Sequence, residues 1–301
     1  MRNQNYETLF EISKRVNWRI DDLTGDGPQF DFSKPFLPET FARTERLPFL
    51  SDAQRLTLNH VRARGYLALF ELVEQFVETF VASEARADSA DSFRAPALDQ
   101  FVCEESKHRE LFRRVLKAFD EQFGVACGLI GPAENITTAV LAHDKLAVLL
   151  LTLALEWMSQ GHFVESVNDN DALDPYFKLL LKYHWTEECQ HARLDGLMLG
   201  EAAAARSAEA IDGAVGEYLD LVSFFDAGFR QQAKLDLQGF ELASRGRLLD
   251  AERAEFLQVQ HQALRWTFLG SAMQNRNLLE TLGVLGERVP ERVRASAASY
   301  M

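Results

Sequence analysis

The segment HWTEECQH, residues 184–191, contains two histidines and two adjacent glutamates. If this segment is helical, with about 3.6 residues per turn, then His184, Glu188 and His191 fall on one face of the helix. Two imidazoles and a carboxylate on one face form a set of metal ligands. The segment therefore predicts half of a metal site, and the other half should lie elsewhere in the chain.

A second copy of the motif lies upstream in EESKH, residues 104–108. Glu105 and His108 repeat the spacing of Glu188 and His191, and each copy has a further glutamate directly before its first residue. Four-helix di-iron and di-manganese proteins use Glu-x-x-His on two helices and a single glutamate on each of two others. The sequence should then supply two lone glutamates on two further helices.

Two apolar helical stripes are interrupted by a glutamate. A helix capped at Ser51 and running to about residue 82 carries Glu74 in its mostly apolar stripe, whereas Glu71 shares a polar one. Glu74 is therefore preferred as the buried ligand, with Glu71 as the alternative. A third helix, from a cap at Asp144 to about residue 167, carries Glu156 on its apolar face.

The spacing of the glutamates indicates two similar helical hairpins. Glu74 and Glu105 are 31 positions apart, and Glu156 and Glu188 are 32 apart, as expected for hairpins related by a pseudo-twofold axis. Sparse glycine and the near absence of alternating polarity favour an all-α chain. We predict a ferritin-like four-helix bundle with additional C-terminal helices and an N-terminal arm. The expected ranges are 1–50 for the arm, 51–301 for the helical domain, 51–200 for the metal site, 96–123 for the second helix, 175–200 for the fourth, 207–245 and 250–282 for the extra helices, and a loose end over the last dozen residues.

Composition limits the partners and the compartment. A net charge of -13 and a pI near 5.1 argue against nucleic acid and anionic membranes, which select basic surfaces. Cys103, Cys127 and Cys189 are widely spaced, so they predict neither a disulfide framework nor a zinc cluster. The longest apolar run, residues 147–155, is too short to cross a bilayer. We expect a cytoplasmic protein without a targeting or transmembrane segment.

Four ionised glutamates would neutralise two divalent cations inside an apolar bundle, whereas without metal they would repel one another. Carboxylates with a few imidazoles suit iron or manganese. Two Fe ions are the first choice, with Mn or a mixed Mn/Fe pair as alternatives. Phe101 stands where the first motif would have an equivalent of His184, which predicts unequal ligation: Glu-His for one metal and Glu-His-His for the other. The alternative is that His184 packs in the core or hydrogen-bonds a neighbouring carboxylate.

Other side chains near the motifs are assigned to packing. Cys189 shares a face with neither Glu188 nor His191, and His162 lies off the Glu156 face. His60 is on the Glu74 stripe but about four turns away, which is too far to reach the metals.

The whole pattern resembles the ferritin-like di-iron carboxylate superfamily, which includes ribonucleotide reductase small subunits and bacterial multicomponent monooxygenases. With the extra histidine it is most similar to the di-iron arylamine N-oxygenases of the p-aminobenzoate type, over roughly residues 50–200. In such oxygenases an acidic residue directly before the ligand glutamate orients a ligating histidine. The resemblance implies that role for Glu104 and Glu187, although each could equally be a solvated helix charge.

The leading functional hypothesis is a di-iron oxidase or oxygenase that activates O2 and oxidises a small organic substrate. It would need an electron donor, and a homodimer is one candidate assembly. N-oxygenation of an aryl amine is implied by the resemblance alone. The alternatives are a ferroxidase or iron-handling protein, and a protein that keeps its metals only for stability.

Overall fold

The computed structural model describes residues 5–16, 18–25, 27–86 and 93–301. Within these ranges the regular structure is helical and contains no strand, which confirms the predicted all-α class. The α-helices are α1 Tyr6–Ser13, α2 Ile20–Thr24, α3 Glu39–Ala42, α4 Asp52–Arg86, α5 Arg94–Phe123, α6 Ala133–Leu141, α7 Lys145–His162, α8 Pro175–Ala204, α9 Ala208–Ala243, α10 Asp250–Arg265, α11 Ser271–Gln274, α12 Arg276–Thr281 and α13 Val289–Ala297. Two π-helical segments, Phe163–Val167 and Trp266–Gly270, follow α7 and α10 directly.

The long helices begin where the sequence places caps. The side chains of Asp144, Asp174 and Ser207 each accept a hydrogen bond from a backbone N–H in the first turn of α7, α8 and α9. Pro175 occupies the first turn of α8, where its missing N–H costs nothing. Ser51 and Gln54 form the reciprocal pair expected at the start of α4. Local chemistry thus fixes where α4, α7 and α8 begin, whereas α5, the other helix with predicted ligands, begins at Arg94 without a side-chain cap.

The bundle is built from α4, α5, α7 and α8. Helix α4 packs along α5, α7 packs along α8, and α9 covers α7 and α4 from outside. The apolar stripes meet in one continuous core that includes fully buried Phe101, Phe112 and Phe177. This is the predicted four-helix arrangement with extra helices.

The N-terminal arm lies on the bundle. The Asn59 side chain on α4 accepts hydrogen bonds from the backbone N–H of Phe36 at 2.8 Å and of Leu37 at 3.1 Å. Closer to the N-terminus, the buried Trp18 ring stacks on the ring of His108, with centroids 5.9 Å apart. The arm therefore contributes to the wall beside a predicted ligand.

Three regions differ from the sequence prediction. The single helix expected over 250–282 is interrupted at Asn275, which leaves helical geometry and caps α12. Helix α6, Ala133–Leu141, was not predicted, since it is short and follows a Gly-Pro pair that indicated only the end of α5. The chain end was expected to be loose, but Val289–Ala297 is helical and buries Val293 and Ala297. That expectation was wrong because α13 packs against α9, α11 and α12, and these contacts are not visible in its own sequence.

Among the described residues, one segment, Lys145–Val167, is long and apolar enough to cross a membrane. In the fold 83% of its most apolar window is buried inside the protein. A central helix of a bundle is apolar on all sides for that reason.

Candidate metal centre

The predicted ligands converge in the middle of the bundle. They come from all four helices: Glu74 on α4, Glu105 and His108 on α5, Glu156 on α7, and His184, Glu188 and His191 on α8. Each is between 0% and 5% exposed. Two groups have ligand atoms that all lie within 4.8 Å of one another: Glu74, His108, His184 and Glu188, and Glu105, His108, Glu188 and His191.

Glu188 belongs to both groups and lies between them. Its Oε1 is 3.0 Å from His108 Nδ1 and 3.0 Å from His184 Nε2. Its Oε2 is 3.5 Å from His191 Nδ1. The carboxylate thus faces both halves of the site, as a bridging ligand must.

His184 lies in the half of the site that contains Glu74. Its Nε2 is 2.8 Å from Glu74 Oε1, and its ring centroid is 4.7 Å from that of His108. The sequence suggested that it would join His191 of its own helix. The structure corrects this pairing, because His184 lies one turn before Glu188 and reaches across the bundle to α4. The two halves still differ in their number of imidazoles, but the extra one lies in the half that contains His108.

The glutamates that precede the two motifs support the histidines crosswise. Glu187 Oε2 on α8 is 2.9 Å from Nε2 of His108 on α5. Glu104 Oε2 on α5 is 2.9 Å from Nε2 of His191 on α8. A carboxylate accepts, so in each neutral ring the proton lies on Nε2 and the Nδ1 lone pair faces the interior. Both glutamates are buried and hydrogen-bonded, not solvated.

The two supporting carboxylates have different partners of their own. Glu187 Oε1 accepts from the ammonium of Lys107 at 2.5 Å. Glu104 Oε1 accepts from the neutral amide of Gln100 at 2.9 Å. Burial opposes ionisation of Glu187, but its contacts with His108 and Lys107 outweigh it and hold its pKa below the ordinary value. The carboxylate behind His108 is therefore paired with a lysine, whereas the one behind His191 accepts from a neutral amide.

Several inward-facing atoms have no hydrogen-bond partner within the described residues. They are Glu74 Oε2, Glu105 Oε1, His108 Nδ1, Glu156 Oε2, Glu188 Oε1 and His191 Nδ1. Nδ1 of His191 lies 2.8 Å from Glu105 Oε1, and Nδ1 of His108 lies 3.0 Å from Glu188 Oε1, yet neither pair has hydrogen-bond geometry. Facing lone pairs at these distances repel unless a proton or a cation lies between them. Oxygen and imidazole donors of this kind fit a pair of divalent metal ions.

The raised pKa values of the site residues also indicate that the site binds positive charge, either as protons or as metal ions. Burial, together with the neighbouring carboxylates, raises the pKa of Glu74 and of Glu156 well above the ordinary value. Burial lowers the pKa of His108, but its contacts with Glu187 and Glu188 raise it to about 9 overall. For His184, burial is likewise outweighed by Glu188 and Glu74, and the pKa rises to about 9. Bound metal ions would take the place of these protons.

Asp195 is a member of the site that sequence reasoning did not select. It is fully buried four residues after His191, and neither carboxylate oxygen has a geometric hydrogen-bond partner among the described residues. Burial raises its pKa to about 8. Its spacing from Glu188 and His191 placed it on the ligand face, so the signal was present in the sequence. Glu156, in contrast, was selected but falls in neither compact group, although Glu188 contributes to its raised pKa.

The residues assigned to other roles lie outside the site. Glu71 forms an ion pair with Arg113 at 2.9 Å on the bundle surface, so the structure favours Glu74 over this alternative. Cys189 Sγ donates to Gln160, and His60 Nε2 is 2.9 Å from the backbone oxygen of Lys34.

Comparisons with known proteins give distant structural similarities only. No protein-family description matches the chain, and no curated protein matches its sequence. One similar solved structure is an R2-like ligand-binding oxidase with aerobically reconstituted metal cofactor after photoconversion, with 14% identity, a TM-score of 0.47, and coverage of 87% of this chain and 93% of that one. A variant of such an oxidase with aerobically reconstituted Fe/Fe cofactor has 15% identity and a TM-score of 0.46, with coverage of 87% and 93%. Another variant, with aerobically reconstituted Mn/Fe cofactor, has 14% identity and a TM-score of 0.46, with coverage of 92% and 94%. These alignments carry no activity over to this chain.

Proposed function

We propose that this protein is a di-metal oxidase or oxygenase that reduces O2 and oxidises a small organic substrate. The observation that carries the proposal is the set of orphaned carboxylate and imidazole atoms that face one another at the centre of the bundle. The metal ligands would be Glu74, Glu105, His108, Glu156, His184, Glu188 and His191. A pair of iron ions, or a mixed Mn/Fe pair, would supply the electrons and the coordination positions at which O2 is reduced.

The burial of the site favours metals that stay bound. Every proposed ligand is at most 5% exposed, and Trp18 of the arm stacks over the outer side of His108. Iron that passes through as a substrate needs a route in and out, as a ferroxidase would require. A covered site with fixed imidazole tautomers suits a resident cofactor better.

The protein side chains would hold the metals, fix their charge and exclude water. Glu187 and Glu104 keep the Nδ1 lone pairs of His108 and His191 directed inward. Glu188 faces both halves and would hold the two ions at a fixed separation. The apolar shell of Phe70 and Phe112, whose rings lie 5.3 and 5.1 Å from that of His184, keeps the site dry.

The finer assignment, N-oxygenation of an aryl amine, rests on the resemblance to the arylamine N-oxygenases, whose distinguishing feature is the extra histidine. The position of His184 supports it, because its Nε2 faces the carboxylates of Glu74 and Glu188. We place the protein in the cytoplasm on composition alone, and we leave its electron donor unassigned.

Metal content and oxygen uptake test the proposal. Protein expressed with supplemental iron should contain about two transition-metal ions per chain. After anaerobic reduction it should consume O2, with a change in the visible spectrum, and His184→Ala should fold and bind metal but react differently. Repeated uptake and release of added ferrous iron would instead favour the iron-handling alternative. A chain that binds no transition metal after reconstitution would refute both.

A further inference from the structure

A small enclosed cavity lies beside His184, between α4, α7 and α8. Its polar lining comes from Tyr66, Ser159, His162, His184 and Trp185, and the remaining walls are apolar. None of its lining residues is a lysine or an arginine. Its free volume is about 10 Å³, which holds about one water molecule. The cavity is therefore adjacent to the proposed metals and carries no fixed positive charge apart from any that His184 holds.

One π-helical segment lines this cavity through Phe163 and Val167, and the other is joined to a lining residue by a hydrogen bond. Phe163–Val167 begins directly after His162, and Trp266–Gly270 ends directly before Ser271. His162 Nε2 is 3.0 Å from Ser271 Oγ and so joins the two segments. Single turns of π-helix are costly and occur frequently at functional sites. Their convergence on one hydrogen bond next to a proposed ligand marks this location as functional.

The direction of every hydrogen bond in this cluster can be assigned. Ser271 Oγ donates to the backbone oxygen of Thr267 at 2.7 Å, so it can only accept from His162 Nε2–H. His162 is neutral, because burial lowers its pKa to about 3. Its Nδ1 must then accept the hydroxyl proton of Tyr66, which lies 3.0 Å away.

The hydroxyls that line the cavity therefore present only lone pairs. The Tyr66 proton is donated to His162, and the Ser159 proton is donated to the backbone oxygen of Glu156 at 2.8 Å. Within the described ranges no protein donor fills their remaining lone pairs. Trp185 adds one donor, because its buried Nε1–H has no partner in the described chain.

We propose that this cavity binds the hydroxyl or amino group of an uncharged substrate and rejects carboxylates. Two acceptors and one donor match a group that both donates and accepts, whereas a carboxylate would meet the lone pairs of Tyr66 and Ser159, with no lysine or arginine in the lining to compensate its burial. That the ligand is a substrate rests on the proposed function. The polar pattern departs from what a p-aminobenzoate-type acid would require, since the lining contains no lysine or arginine to pair with its carboxylate and His184 already faces Glu74 and Glu188.

An aromatic ligand needs more room than one water molecule occupies. Phe163 of the π-helical segment stacks on Trp185 with ring centroids 4.8 Å apart and forms part of the wall. Phe163→Ala would remove this ring and leave a ring-sized space, and engineered cavities of that size bind benzene. Leu181→Ala, which truncates another large apolar side chain of the lining, replaces it if Phe163→Ala does not fold.

The test compares phenol, toluene and benzoate: phenol and toluene match in size and differ in hydrogen bonding, and benzoate adds a negative charge on the same ring. Binding is measured by titration calorimetry on anaerobic, metal-loaded Phe163→Ala protein. We expect phenol to bind about tenfold more tightly than toluene and benzoate to bind much more weakly than phenol. Adding Tyr66→Phe should reduce the phenol-to-toluene ratio to about one, and Leu181→Phe, which fills the cavity, should reduce binding of both.

Two results would overturn the inference: toluene bound as tightly as phenol, or benzoate bound as tightly as phenol. Neither depends on turnover. If the protein binds no metal, the proposed function fails, while the preference for phenol can still be measured on the same protein. If metal and O2 uptake are found but the preference is absent, only the assignment of this cavity fails.

Discussion

Glu187→Ala is expected to weaken metal binding at the half of the site that contains His108, although Glu187 belongs to the helix of His191. The substitution removes the acceptor that lies 2.9 Å from His108 Nε2. It also leaves the Lys107 ammonium without its buried carboxylate. Loss of such a partner typically costs about 10 to 100-fold in metal affinity, which corresponds to about 1.4–2.7 kcal/mol. Glu104→Ala should have an effect of similar size on the His191 half.

Competition with a chelator under anaerobic conditions measures the affinity of each variant, and double variants show which half is affected. Glu187→Ala should add little to His108→Ala, because both remove the same ligand, but its effect should add to that of His191→Ala. Glu71→Gln is the matched control, since its ion pairs lie on the surface of the same bundle. Additivity with His108→Ala, together with redundancy with His191→Ala, would refute the crosswise support.

Two further predictions follow from the buried charges. Glu74→Ala should remove metal from the half of the site that contains His108 and His184. Glu71→Ala should keep the full metal content and lose no more than about 1 kcal/mol of stability. Elemental analysis measures the metal content, and equal metal loss in both variants would show that the assignment to Glu74 is wrong. In metal-free protein, burial raises the pKa of Asp195 from 3.8 to about 8, and the carboxylates around His184 outweigh its burial and raise its pKa from 6.5 to about 9. Both groups are protonated more readily in the folded state, so their stabilising contribution is complete below about pH 4 and is lost as pH rises toward 9. Thermal unfolding of chelated and metal-loaded protein at several pH values should show this decline only in the chelated form, and a metal-free protein that gains stability over that range would contradict it.

The sequence predicted the parts of the fold that depend on local chemistry. Asp174 with Pro175, Ser207 and Asp144 determine where long helices begin through contacts within one turn, and the structure begins its helices there. The interruption of an apolar stripe by Glu74 was sufficient to prefer it over Glu71. Helix α13 could not be predicted in the same way, because its order depends on packing against α9, α11 and α12, which buries Val293 and Ala297.

In the candidate site, too, helical spacing predicted some features, whereas others depend on how the helices pack together. Spacing alone brought Glu105, His108, Glu188 and His191 to one level of the bundle, because helical periodicity fixes which face a residue occupies. It could not show that Glu104 and Glu187 exchange partners between helices, nor that His184 faces Glu74, because those contacts depend on the packing of α4 and α5 against α8. The Trp18 stack on His108 joins positions 90 residues apart, and nothing local in the arm indicates it.

The two halves of the site are alike in motif and different in what surrounds them. The His108 half has a second imidazole, His184, and a supporting carboxylate neutralised by Lys107. The His191 half has a supporting carboxylate whose partner is the neutral amide of Gln100, and it lies beside buried Asp195. Because Glu104 has no counterpart of Lys107 among its contacts with the described residues, a cation in the second half would have less positive charge nearby than one in the first, which would favour the higher oxidation state there. The pseudo-twofold motif thus builds a pair of positions that are expected to differ in reduction potential, because Lys107 and Gln100 are not equivalent.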